Sequence, residues 1–195
     1  MGLKIYRPKE EDLIKGCLKG DRMSQKQLYE IYSARMYSVC YRYVKDSMQA
    51  QDILVTSFMK IFEKIGQFKQ EGSFEGWIRK IMVNESLTFL RKQRSMYLET
   101  DLEQADREPD YESVGDHLEA ADLINMISQL PAGYRIVFNM YAIDGYSHKE
   151  IADHLGISEN TSKSQLSRAR TYLQKLLAEN EWCSQKIFTS DEATT

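Results

Sequence analysis

Apolar positions recur along the chain at spacings of three and four, the pattern of helices that each bury one face. Leu13, Ile14, Cys17 and Leu18 predict a first helix over 10–19, which the polar "GDR" ends. Leu28, Ile31, Tyr32, Met36, Val39, Cys40 and Tyr43 predict a second over 24–44, and Leu54, Phe58, Ile61, Phe62 and Ile65 a third over 48–65. Glycines and polar residues make "GQFKQEGSF" a loop. A fourth helix follows over 74–94, with Phe74, Trp77, Ile78 and Ile81 read as its packing side. No stretch holds a period of two. The four helices can bury one another, which predicts a first domain over 1–94.

The pattern then breaks. Residues 95–116, "SMYLETDLEQADREPDYESVGD", hold few large apolar side chains and many carboxylates. Such a segment cannot bury enough surface to fold alone and reads as an acidic linker. Helical spacing resumes over 117–129, 131–143, 147–155 and 159–178. Residues 181–195 read as a polar, frayed tail. The expected fold is therefore all-α. It comprises an N-terminal helix bundle over 1–94 and a C-terminal four-helix domain over 117–180, joined by the linker.

The last two helices carry a more specific grammar in "YSHKEIADHLGISENTSKSQLSRAR". Ser147 followed by Glu150 fits a capping box. Ile151, Ala152 and Leu155 form a short apolar stripe. Gly156 suits a turn that needs positive φ, and Ser158 suits an N-cap. This is the pattern of a helix-turn-helix, whose second helix lies in the DNA major groove. Leu166, Ala169, Leu173 and Leu176 should face inward. Lys163, Ser164, Ser167 and Arg168 lie on other faces, with Gln165 a further candidate. Lys and Arg can donate to guanine, and a serine hydroxyl can pair with a base or a phosphate.

The charge distribution strengthens a nucleic-acid reading. The formal charge of −3 averages over a basic block at 1–94, with 18 Lys+Arg against 11 Asp+Glu, and an acidic one at 95–124, with 1 against 10. Other chemistry is absent from the pattern. Cys17, Cys40 and Cys183 show no metal-ligand spacing and read as reduced cytosolic thiols. His117, His148 and His154 form no triad or ligand set, and no phosphate loop or cofactor motif is present, so neither an enzyme nor a cofactor is expected. No apolar run approaches the roughly 20 residues of a membrane span.

Two blocks, in order, carry a family resemblance: "AQDILVTSFMKIFEKIGQF…GSFEGWIRKIMVNESLTFLRK" (50–92) and "LPAGYRIVFNMYAIDGYSHKEIADHLGISENTSKSQLSRAR" (130–170). The chain resembles a bacterial RNA polymerase sigma factor of the sigma-70 family, extracytoplasmic-function (ECF) group. The resemblance implies core RNA polymerase, promoter DNA in duplex and melted form, and an anti-sigma factor as partners. It implies that 1–94 is region 2 and 117–180 is region 4, and that the linker threads toward the polymerase active centre. Asp52 matches the face that docks on core polymerase, while Gln51, Val55 and Thr56 stand where the family usually has Glu, Gln and Glu. The loop "FKQEGSFEG" matches the one that holds a base flipped from the minus-ten element. Phe68 would wall that pocket, and Lys69, Gln70, Gly72 and Ser73 would supply hydrogen bonds and close approach. Asn84 matches a reading position. Lys80, Asn84, Thr88 and Arg91 share one helix face by spacing, and Lys60 and Lys64 are an i,i+4 pair of cations for phosphates. Lys163, Ser164 and Arg168 match contacts to the minus-thirty-five element. The competing reading is a free-standing helix-turn-helix regulator, which has no need of the 50–92 block.

Overall fold

The computed structural model describes residues 9–93 and 120–191, and every regular element among them is helical. The acidic linker and His117 lie outside the described residues. The chain divides into two compact units, one ending at Gln93 and the other beginning at Arg94.

The first unit holds α1 (Glu10–Leu18), α2 (Arg22–Val44), α3 (Ser47–Lys64) and α4 (Phe74–Gln93). Helix α2 starts two residues before its apolar spacing predicts. The reason is Asp21, whose carboxylate accepts from the Ser24 backbone N–H at 2.9 Å and from the Ser24 hydroxyl at 2.6 Å. An Asp at the N-cap satisfies donors that the first helical turn leaves unpaired. These contacts also hold the Asp21 carboxyl below its ordinary pKa. Helix α2 lies between α1, α3 and α4. Leu28, Met36, Cys40, Tyr43, Ile61, Ile78, Met82 and Leu87 are all buried between them. Ile31 and Leu18, expected on packing faces, are instead 43% and 54% exposed. Each sits at the edge of its stripe, where helical spacing does not separate flank from core.

Gly16 has a steric reason to be glycine. A β-carbon there would stand 2.0 Å from Ser24 Oγ, so α1 and the start of α2 meet closely over it. A polar link adds to this contact: the buried Tyr32 hydroxyl donates to Glu10 of α1. Burial and that carboxylate raise the Tyr32 pKa. The Cys17 and Cys40 thiols are buried, and burial pushes each up to about 11. Both are protonated and unreactive at neutral pH.

The second unit holds α5 (Ala120–Gln129), α6 (Ala132–Phe138), α7 (His148–Leu155) and α8 (Glu159–Asp191). Its core joins Met126, Ile127 and Leu130 to Ala169 and Leu173 of α8, with Leu176 partly buried beside them. Sequence spacing runs α6 through to residue 143. The chain instead widens into a π-helical turn at Asn139–Ile143 after α6 ends. Helix α8 also continues to Asp191, past the point at which the polar tail was expected to fray.

Candidate nucleic-acid interface

The turn between α7 and α8 is built as its sequence requires. Ser147 Oγ accepts from the Glu150 N–H at 3.3 Å, while the Glu150 carboxylate accepts from the Ser147 N–H at 2.8 Å, so the capping box is complete. Gly156 has φ of +67° and closes α7 in the left-handed region. Ser158 Oγ accepts from the Thr161 N–H at 3.0 Å and starts α8. Ile151, Ala152, Leu166 and Ala169 are buried, which fixes the outward faces.

The outward residues of α8 do not form one uniform set. Lys163 and Ser164 are exposed, and the Ser164 hydroxyl donates to the Thr161 carbonyl at 3.0 Å. Arg168 is half-buried. Gln165 is half-buried as well. Its amide lies against Gly133 of α6, with Nε2 3.6 Å and Oε1 3.7 Å from where a β-carbon would stand. It turns toward its own unit because its spacing from Leu166 and Ala169 places it on the flank of the buried stripe.

Sequence reasoning missed a polar contact behind this helix. His148 Nδ1 lies 2.9 Å from the Oγ of Ser162, which is fully buried. The other side of the imidazole stacks on Tyr141, with centroids 4.5 Å apart and planes at 21°. No signal in the spacing joins residues 141, 148 and 162. The π-helical turn brings the first of them into place.

In the first unit the loop from Phe68 to Ser73 follows a single 3-10 turn at Ile65–Gln67. Lys69, Gln70, Gly72 and Ser73 are exposed. Gln70 and Gly72 adopt φ of +60° and +97°, so the loop carries two left-handed residues within three. Ser73 Oγ accepts from the Gly76 N–H at 3.0 Å and opens α4. Phe68 is half-buried and packs at 5.1 Å on Phe74 and 5.7 Å on Trp77. It therefore anchors the loop to α4.

Asn84, Thr88 and Arg91 are brought together on α4, as their spacing predicts. The Thr88 hydroxyl donates to the Asn84 carbonyl at 2.8 Å, and Arg91 Nη2 donates to Thr88 Oγ1 at 3.3 Å. The Asn84 Oδ1 is buried without a hydrogen-bond partner. Lys64 is exposed, whereas Lys60 turns to α4 and pairs with Glu85 at 2.5 Å. The two lysines thus sit in different surroundings, Lys64 outward and Lys60 against α4.

Asp52, Ile53 and Thr56 of α3 face Glu85, Thr88, Phe89 and Lys92 of α4 across a groove of about 150 Å³. Asp52 also has exposed apolar neighbours at helical spacing on α3: Met48 at 77% and Val55 at 48%, with Met59 at 62% one turn further. The candidate docking face is consequently more apolar than its lone carboxylate suggests.

Residues 28–96 match the Sigma-70 region 2 family and residues 120–173 match Sigma-70, region 4. The chain is 29% identical over 159 residues to the ECF RNA polymerase sigma factor SigE of Mycolicibacterium smegmatis, covering 79% of this chain and 62% of that protein. It is 28% identical over 176 residues to the ECF RNA polymerase sigma factor SigW of Bacillus subtilis, covering 84% of this chain and 94% of that one. A solved structure of the sigma factor RpoE with the anti-sigma factor NepR, from Bartonella quintana, aligns with a TM-score of 0.49 at 23% identity over 78% of this chain and 96% of that chain. With both regions present in order, and together spanning more than half its length, the chain belongs to the sigma-70 family of RNA polymerase sigma factors, in its ECF group.

Proposed function

We propose that the chain binds core RNA polymerase, directs it to promoter DNA and initiates transcription, with the bond-making chemistry left to the polymerase. The observation that carries this reading is the presence of region 2 and region 4 in one chain, in that order. A free-standing regulator needs the helix-turn-helix alone.

The roles divide between the units. Helix α3 docks on core polymerase through Asp52 and the exposed Met48, Val55 and Met59. The loop from Phe68 to Ser73 takes a base flipped from the non-template strand of the minus-ten element. Flipping costs a few kcal/mol, which stacking and edge hydrogen bonds must offset. Asn84 takes this role by its place on the α4 face that also carries Thr88 and Arg91. Lys64, Lys69 and Arg91 meet phosphates. Lys60 contributes only if its pair with Glu85 opens. Helix α8 reads the minus-thirty-five element with Lys163, Ser164 and Arg168. Gln165 contributes by seating α8 on α6. The acidic segment at 95–116 occupies the nucleic-acid path of the polymerase until RNA displaces it. An anti-sigma factor holds the chain inactive in the cytoplasm, and no described helix is long and apolar enough to cross a membrane.

The dependence of DNA binding on core polymerase tests this reading. The full chain with core polymerase should protect a promoter fragment at both elements, and the chain alone should bind it weakly. Equal protection with and without core polymerase would instead identify a free-standing regulator.

A further inference from the structure

We propose that Tyr141, His148 and Ser162 form a clasp that sets the orientation of α8 for promoter binding, with His148 as a positioning residue that does not itself read a base. The inference rests on the reading of α8 as the recognition helix.

The geometry begins with the backbone. The π-helical turn at Asn139–Ile143 adds a residue to the turn, and such turns recur at functional sites. It leaves Tyr141 37% exposed and its ring parallel to the His148 imidazole. His148 is the first residue of α7, directly after the Ser147 cap. Its Nδ1 reaches across to Ser162, which lies one turn into α8 and beside Lys163. The clasp thus joins three elements: the π turn, the start of α7 and the start of α8. Apolar packing holds α8 further along, at Leu166, Ala169 and Leu173. It leaves the N-terminal turn, the end that enters the groove, to be held by polar contacts.

Ser162 is fully buried, so its hydroxyl depends on this partner. Burial, with Lys163 and Arg170 adding to it and Glu159 opposing, lowers the His148 pKa from the ordinary histidine value. The ring is therefore neutral at pH 7. The neutral ring and the Ser162 hydroxyl share this hydrogen bond, with its direction set by the tautomer.

The test uses the full chain with core polymerase and the genomic fragment that gives the strongest run-off transcript. His148→Phe keeps the ring on Tyr141 and removes the hydrogen bond, while Ser162→Ala removes the hydroxyl. Each should weaken binding about three- to tenfold, the size expected for one such bond. The second unit should melt somewhat lower in each variant, because a buried partner is left unpaired, so binding is compared well below the transition. The double variant should be no weaker than the weaker single one, and Ser162→Thr should restore binding. Additive losses, or losses that simply follow the melting temperature, would overturn the clasp. So would unchanged binding by both variants while Lys163→Ala still weakens it. If Lys163→Ala itself binds normally, the recognition-helix reading fails and takes the clasp with it.

Discussion

Two side chains on α8 differ in what they can do, although both are cationic. Lys163 is exposed, while Arg168 is half-buried and its planar fork is suited to a base edge. Arg168→Ala should cost about 1–3 kcal/mol and relax preference at one or two promoter positions. Lys163→Ala should weaken all sequences alike and reduce the salt slope by about one unit. Titration against a promoter library at several salt concentrations separates the two, and a uniform loss for Arg168→Ala would assign it to the backbone. In the first unit, Asn84→Ala should leave duplex binding intact and reduce strand opening, read as permanganate reactivity of melted thymines. Phe68→Ala is a less selective probe, because Phe68 also packs on Phe74 and Trp77. The caps were legible from sequence because Ser147, Glu150, Gly156 and Ser158 act within four residues of their partners. The Gln165 seat, the Lys60–Glu85 pair and the His148 contact were not, since each joins residues far apart in the chain.

Whole elements followed the apolar spacing, and their boundaries depended on chemistry that the spacing does not encode. Helix α2 begins where Asp21 caps it, and α6 gives way to a π turn where spacing alone continues the helix. The contact of α1 with α2 makes its own prediction. Gly16→Ala places a β-carbon 2.7 Å from Ser24 Cβ, so one of the two helices must shift. Overpacking of this kind costs about 1–3 kcal/mol, and thermal melting should show it in the first unit alone. The second unit should respond to pH through the α7–α8 contact. A histidine whose folded pKa is lowered binds fewer protons folded than unfolded. Its contribution is present above the unfolded value, near 6.5, and is lost as pH falls through the folded one. His148→Phe should remove that part of the acid sensitivity, as followed by chemical denaturation between pH 7 and 5. Leu166→Asp should unfold the second unit and leave the first intact, because it puts a charge into a position that is 4% exposed.

At the scale of the molecule, the two units carry two different tasks. Residues 1–94 should retain core polymerase in a pull-down, whereas 117–180 should bind duplex promoter DNA weakly and retain no polymerase. The reverse result would exchange the assignments. The charge asymmetry fits this division, with the excess of Lys and Arg confined to the first unit and the carboxylates massed after it. Start-site mapping by run-off transcription tests the central claim most directly. Core polymerase with the full chain should produce transcripts from defined starts on genomic fragments, and core polymerase alone should not. Asn84→Ala should lower their yield while leaving the starts in place. Transcripts that are identical in number and position with and without the chain would contradict the account.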